Sequence, residues 1–78
     1  MNDTPPPTIC LDQFLKANAL AETGGHAKML IQHGEVIVNG EIETRRRRKL
    51  VQADQVEVHG QTFVVERDES QLFFAREA

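Results

Sequence analysis

The apolar positions in the first part of the chain repeat with a helical period. Leu11, Phe14 and Leu15 fall at i, i+3 and i+4, one stripe on a helix face. Asp12 reads as the N-cap of a short helix over Gln13 to Asn18, and it stands four residues ahead of Lys16, the favourable order for a charged helix pair. A second stripe, Ala27, Leu30 and Ile31, predicts a second helix that begins at Gly24-Gly25 with Thr23 as its cap. Gly34 follows its last turn, where a left-handed residue belongs. His26, Lys28, Gln32 and His33 lie off that stripe and are expected to meet solvent. From residue 36 the pattern is that of strands. Val36-Ile37-Val38 is β-branched throughout, Asn39-Gly40 follows it, and Glu41-Ile42-Glu43 returns. Asn-Gly between apolar runs predicts a hairpin, because both turn positions take φ > 0. Thr44 to Lys49 is a charged run, Leu50-Val51 is apolar and Gln52-Ala53-Asp54 turns. Gln55 to Val58 alternates, His59-Gly60 turns again, and Thr62 to Val65 is a further strand.

This order of helix, helix, hairpin, basic loop and two strands predicts an α+β domain, with two short N-terminal helices packed on a small antiparallel sheet. Residues 1–8, which contain Pro5-Pro6-Pro7, read as a disordered or extended tail. Residues 9–65 read as the folded domain and residues 66–78 as an acidic C-terminal extension. That extension is either a frayed tail or a short element that docks Leu72-Phe73-Phe74. The chain's 78 residues and 8.8 kDa leave room for one small domain with a thin margin of stability. No segment approaches the ~20 apolar residues of a membrane helix, and the N-terminus lacks the cationic start of a signal peptide. The single cysteine, Cys10, forms no internal disulfide and reads as a small buried hydrophobe, which fits a reduced, cytoplasmic setting. The four Phe read as core.

Charge changes the picture locally. The net charge is −3, but residues 16–49 hold seven basic side chains against four acidic ones, +3, and the remainder holds two against eight, −6. The basic part is concentrated in Arg45-Arg46-Arg47-Arg48-Lys49. Cations so crowded repel one another unless a polyanion arrives, and arginine offers phosphate a planar fork. The run therefore suits nucleic acid; a solvated, solubilising loop and a nuclear-import tag are the other readings. Absent from every apolar stripe, the five cations are expected to be exposed and dispensable for folding. Gly24-Gly25 at a helix start offers free backbone N–H groups to an anion, or serves a tight turn or close packing. His26 and His33 are seven apart and His59 lies in a distant turn, so no metal-ligand set is expected and no cofactor is implied. No spacing suggests a catalytic dyad or triad.

The stretch from Thr23 to Glu41 carries a more specific pattern. Ala27, Leu30, Ile31, Gly34, Val36, Val38, Asn39 and Gly40, followed by Asp54 and Val56, resemble the S-four RNA-binding domain, the alpha-L motif of ribosomal protein S-four. The chain is similar in particular to very small, stand-alone bacterial members. It supplies Leu11-Asp12-Gln13-Phe14-Leu15-Lys16, Gly24-Gly25-His26-Ala27-Lys28, and Asn39 through Glu43 with Arg45, Arg48, Lys49 and Leu50. The resemblance covers roughly residues 9–65. It implies a non-catalytic module that grips structured RNA, ribosomal or tRNA-like, with the second helix and the neighbouring loop. By position it assigns RNA contact to Lys28 and to Arg45, Arg46, Arg47, Arg48 and Lys49, with Lys16, Gly24, Gly25 and His26 beside them. Two departures stand out. Gly24 occupies a place where many members have Arg, and Ala53 replaces the glycine before the aspartate, a change that a type I turn tolerates.

Two other classes compete. Sulfur-carrier and ubiquitin-like modules also show Val-Asn-Gly and a later Asp-x-Val, but they need a C-terminal Gly-Gly, and this chain ends Ala75-Arg76-Glu77-Ala78. A protein-interaction adaptor would use Leu72-Phe73-Phe74 to hold a protein partner.

Overall fold

The computed structural model describes residues 5–78. A two-residue strand, β1 (Ile9–Cys10), leads directly into α1 (Leu11–Ala17), and α2 (Gly24–Gln32) follows. Six strands come next: β2 (Ile37–Val38), β3 (Glu41–Ile42), β4 (Lys49–Leu50), β5 (Gln55–Val58), β6 (Gln61–Arg67) and β7 (Phe73–Glu77). Five of them form an antiparallel sheet in the order β3-β2-β5-β6-β7, while β1 and β4 pair separately, Ile9 with Leu50 and Cys10 with Lys49. The α+β class with two helices on antiparallel strands is the one expected from the sequence.

The helices bury the stripes their spacing dictates. Leu11, Phe14 and Leu15 of α1 and Ala27, Leu30 and Ile31 of α2 all lie in the core. They meet the inward face of the sheet, where Val56, Val58, Phe63 and Val65 alternate with exposed or half-buried neighbours. Thr23 caps α2 as expected, its hydroxyl accepting the His26 N–H at 3.0 Å. The helix closes at Gly34, φ 74°, with Gly34 N–H on the Ile31 carbonyl and Glu35 N–H on the Leu30 carbonyl, the paired bonds of a Schellman end. Asn39 and Gly40 take φ 51° and 85°, the two positive values that a tight hairpin turn requires.

Three expectations are corrected. The first helix begins at Leu11, not Gln13, and its cap is Cys10, which offers no side-chain acceptor. Asp12 lies inside the first turn, where its Oδ1 accepts the Gln13 N–H at 2.8 Å, and it forms no ion pair with Lys16. The helix starts early because backbone carbonyls of the basic loop satisfy its first donors. Ala53 takes φ 80° as the third residue of a Val51–Asp54 turn, closed by Asp54 N–H on the Val51 carbonyl at 3.1 Å. A positive φ there belongs to a type II turn, which wants glycine, so the turn is not the type I that tolerates alanine. Lastly, Phe74 is 38% exposed and does not join the core, although Phe14 and Phe63 do.

Residues 66–78 are a docked element rather than a frayed tail. β7 pairs with β6 from Phe63↔Glu77 to Arg67↔Phe73, and Phe73 and Ala75 pack against the core. Asn18, at the end of α1, ties the outer edge down: its Oδ1 accepts the Ala75 N–H at 2.9 Å while its Nδ2 donates to the Phe14 carbonyl at 2.9 Å. No helix among the described residues is long and apolar enough to cross a membrane. The tail expected over residues 1–8 falls partly on residues 1–4, outside those described; residues 5–8 are exposed and without regular structure.

Candidate nucleic-acid interface

The basic loop is a compact turn. Arg48 N–H donates to the Arg45 carbonyl at 3.1 Å, so Arg45 and Arg48 are the corners and Arg46 and Arg47 the tip. Two further backbone bonds pin the loop to the start of α1: Leu11 N–H donates to the Arg48 carbonyl at 2.8 Å and Asp12 N–H to the Arg46 carbonyl at 3.0 Å. These are donors that a helix start leaves without intrahelical partners, and with Cys10 as cap no side chain could take them.

The corner side chains turn back onto Glu43. The Glu43 carboxylate accepts Arg45 Nε at 2.9 Å and Arg45 Nη2 at 3.1 Å, a bidentate pair, and Arg48 Nη1 at 2.7 Å. It also accepts the Arg45 N–H at 3.1 Å. Glu43, directly after β3, is only 7% exposed. The Arg45 guanidinium, helped by Arg48 and opposed by burial, holds the Glu43 carboxyl down at about 2, and the same contact raises Arg45 above its usual value. Arg45 and Arg48 therefore serve the fold as well as the loop surface, since without them Glu43 would lie buried and unpaired. A sequence signal for the clamp did exist. Glu43 and Arg45 are two apart in an extended stretch and so share a face.

Arg46, Arg47 and Lys49 are exposed and form no ion pair among the described residues. Lys16 is exposed on α1 one turn beyond Asp12, and Lys28 is exposed on α2, off the buried stripe. Gly24 and Gly25 are exposed; a Cβ at Gly24 would meet nothing within 4 Å and one at Gly25 only Thr23 Oγ1 at 3.8 Å, so close packing does not demand glycine at either. His26 departs from expectation in being half-buried, with its Nδ1 accepting the Glu22 N–H at 3.1 Å. The structure thus joins the Arg loop to α1, keeps Lys28, Gly24 and Gly25 open on α2, and engages Arg45 and Arg48 with Glu43, the Arg45 side chain staying largely in solvent and Arg48 half-buried.

A second polar joint sits beside the loop. Asn39 Nδ2 donates to Asp54 Oδ1 at 3.1 Å, and Asn39 Oδ1 accepts the Gln55 N–H at 2.8 Å. Asp54 Oδ2 accepts the Val51 N–H at 2.8 Å. The Val-Asn-Gly and Asp-x-Val motifs are therefore two halves of one clip that ties the β2–β3 turn to the start of β5. Their residue types answer to hydrogen-bonding geometry.

A helix pair on a small sheet, the clipped Asn-Gly hairpin and the Arg turn together place the molecule in a known class: the chain belongs to the S4 domain family, whose model matches residues 4–66. Among its relatives is a probable ribosome maturation protein, RlbA of Bacillus subtilis, 46% identical over 52 residues that cover 67% of this chain and 73% of that one. A putative RNA-binding protein, YbcJ of Escherichia coli, is 37% identical over 59 residues, 76% of this chain and 84% of that one. Among solved structures, ribosomal protein S4e of the 30S subunit of Thermoplasma acidophilum shares the fold, with a TM-score of 0.70 at 18% identity. That match covers 91% of this chain and 36% of S4e, so the chain spans about a third of that protein's length. Family membership replaces the sulfur-carrier and ubiquitin-like alternative.

Proposed function

We propose that the protein is a non-catalytic binder of structured RNA, with ribosomal RNA its first candidate ligand and tRNA the other. The observation that carries this reading is the state of the loop: Arg46, Arg47 and Lys49 are exposed and unpaired among the described residues, on a backbone anchored to α1. A cationic side chain on a fixed backbone meets phosphate without first giving up loop freedom. The names of the two bacterial relatives, one a ribosome maturation protein and one an RNA-binding protein, point the same way. Lys28, Lys16 and the open start of α2 at Gly24, Gly25 and His26 extend the contact surface. Recognition is chiefly of shape: the chain has no Trp or Tyr, so stacking on bases falls to the exposed arginines. This reading fits a cytoplasmic protein.

The test is binding to a ribosomal RNA stem–loop and to the DNA hairpin of the same sequence. RNA should bind more tightly. The slope of log K against log salt should be ~−2 to −4, as expected for three to five phosphates neutralised. Arg47→Ala should flatten that slope by about one unit and leave the melting temperature unchanged. Equal affinity for RNA and DNA, with an indifferent Arg47, would mark the loop as a merely sticky polycation and overturn the reading.

A further inference from the structure

The Arg45–Arg48 turn separates two tasks by position. Its corners reach back to Glu43, Arg45 through two bonds and Arg48 through one, while the tip residues Arg46 and Arg47 make no such contact. Glu43 itself is tied into the hairpin, its N–H on the Val36 carbonyl at 3.0 Å. The carboxylate therefore stands on the folded core and grips the two ends of the turn. We propose that Glu43 is a positioning residue for RNA binding: it fixes the turn so that Arg46, Arg47 and Lys49 are presented to the phosphates of folded RNA on a rigid backbone. The proposal rests on the RNA-binding reading above.

Five adjacent cations favour an expanded loop, and an expanded loop must be re-ordered whenever a ligand binds. One internal anion lowers that repulsion at the corners without screening the tip. Its place matters as much as its charge, because at 7% exposure it is shielded from an approaching polyanion that a surface carboxylate would repel. The grip also aligns the Arg46 and Arg48 carbonyls with the Asp12 and Leu11 N–H groups, so the loop and the start of α1 are ordered together.

Charge counting alone predicts the opposite outcome. Glu43→Gln removes a negative charge and frees two arginines, so a simple electrostatic site would bind RNA more tightly. Positioning requires that it bind more weakly. The experiment compares wild type and Glu43→Gln for affinity and salt slope on the ribosomal RNA stem–loop, and for amide hydrogen exchange at Leu11 and Asp12. Affinity should fall about tenfold, with a slope as steep as wild type or steeper. The Leu11 and Asp12 amides should exchange faster while those of β5 and β6 keep their protection. Unchanged or tighter binding, or unchanged exchange at those two amides, would overturn the proposal. Should Glu43→Gln fail to fold, Arg45→Gln decides, since Arg48 still partners Glu43 there. Weaker binding at an unchanged slope supports positioning, whereas unchanged affinity, or a slope flatter by about one unit, overturns the proposal. A wild-type protein that prefers RNA no more than DNA would instead remove the functional reading itself.

Discussion

Two four-residue turns flank Leu50, and each is fastened by a carboxylate. Arg45–Arg48 and Val51–Asp54 are both closed by an i→i+3 backbone bond of 3.1 Å. In the second turn the carboxylate belongs to the turn itself. Asp54 takes the Val51 N–H and the Asn39 amide, and Asn39 takes the Gln55 N–H, so the polar groups of the clip satisfy one another. The result is a sealed joint. In the first turn the carboxylate comes from outside, from Glu43, and takes the side chains of the corners. The backbone is held just as firmly, yet the two tip side chains stay in solvent. Charge density alone therefore does not distinguish the loop cations; pairing does, since Glu43 engages Arg45 and Arg48 and leaves Arg46, Arg47 and Lys49 without an ion pair among the described residues.

The two turns share one core side chain, and its loss should have the largest effect. Leu50 is fully buried between them, and Leu50→Ala should cost ~2–5 kcal/mol. Thermal or urea melting measures this, and a near-native midpoint would show that the turns do not depend on a common core. Next comes the sealed joint. Asp54→Ala removes the partner of the half-buried Val51 N–H and of the exposed Asn39 amide, which water can satisfy, at ~1–2 kcal/mol. It should leave the salt slope of RNA binding unchanged, and a change there would mean that the clip also touches ligand.

The clamp predicts a pH effect of comparable size. Glu43 is held at about 2 in the fold against an ordinary 4.5. Its folded value is depressed, so its stabilisation is full above about 4.5 and is lost as pH falls toward about 2. Because the Arg45 side chain is 74% exposed, solvent screening limits this contribution to ~1–2 kcal/mol. Urea unfolding across that acidic range should show a decline that Glu43→Gln reduces; an identical profile in the variant would remove the clamp from the account. The smallest effect is a gain. Ala53 carries a left-handed φ of 80°, and Ala53→Gly should raise stability by ~0.5–1 kcal/mol, relieved strain outweighing the added freedom of the unfolded chain. A loss on melting would show that the turn prefers alanine for another reason.

The elements that rest on local pattern were legible from the residues. The stripes of α1 and α2, the Thr23 cap, Gly34 and the Asn39-Gly40 turn are consequences of period and of φ preference within a few neighbouring positions. The candidate site was legible only as composition. Arg45, Arg46, Arg47, Arg48 and Lys49 look alike in a row, and nothing in the row itself says that Arg45 and Arg48 bind Glu43. The start of α1 was misplaced for a related reason: its first donors are satisfied by carbonyls more than thirty residues along the chain, where no capping rule looks.

The class of fold, the core faces of both helices and the presence of one concentrated cationic segment thus follow from residue order. Periodicity, turn chemistry and charge are properties of neighbours along the chain, and they survive without knowledge of packing. Tertiary structure alone decided that residues 73–77 complete the sheet, that Asn39 and Asp54 form one clip, and that Glu43 divides the arginines into corners and tip. Each of these is a contact whose partner and direction depend on how the sheet and helices come together. The division of the arginines has the plainest cause. A carboxylate that is 7% exposed requires compensation, and the two guanidinium groups within reach supply it. Those beyond its reach keep their charge for solvent or ligand.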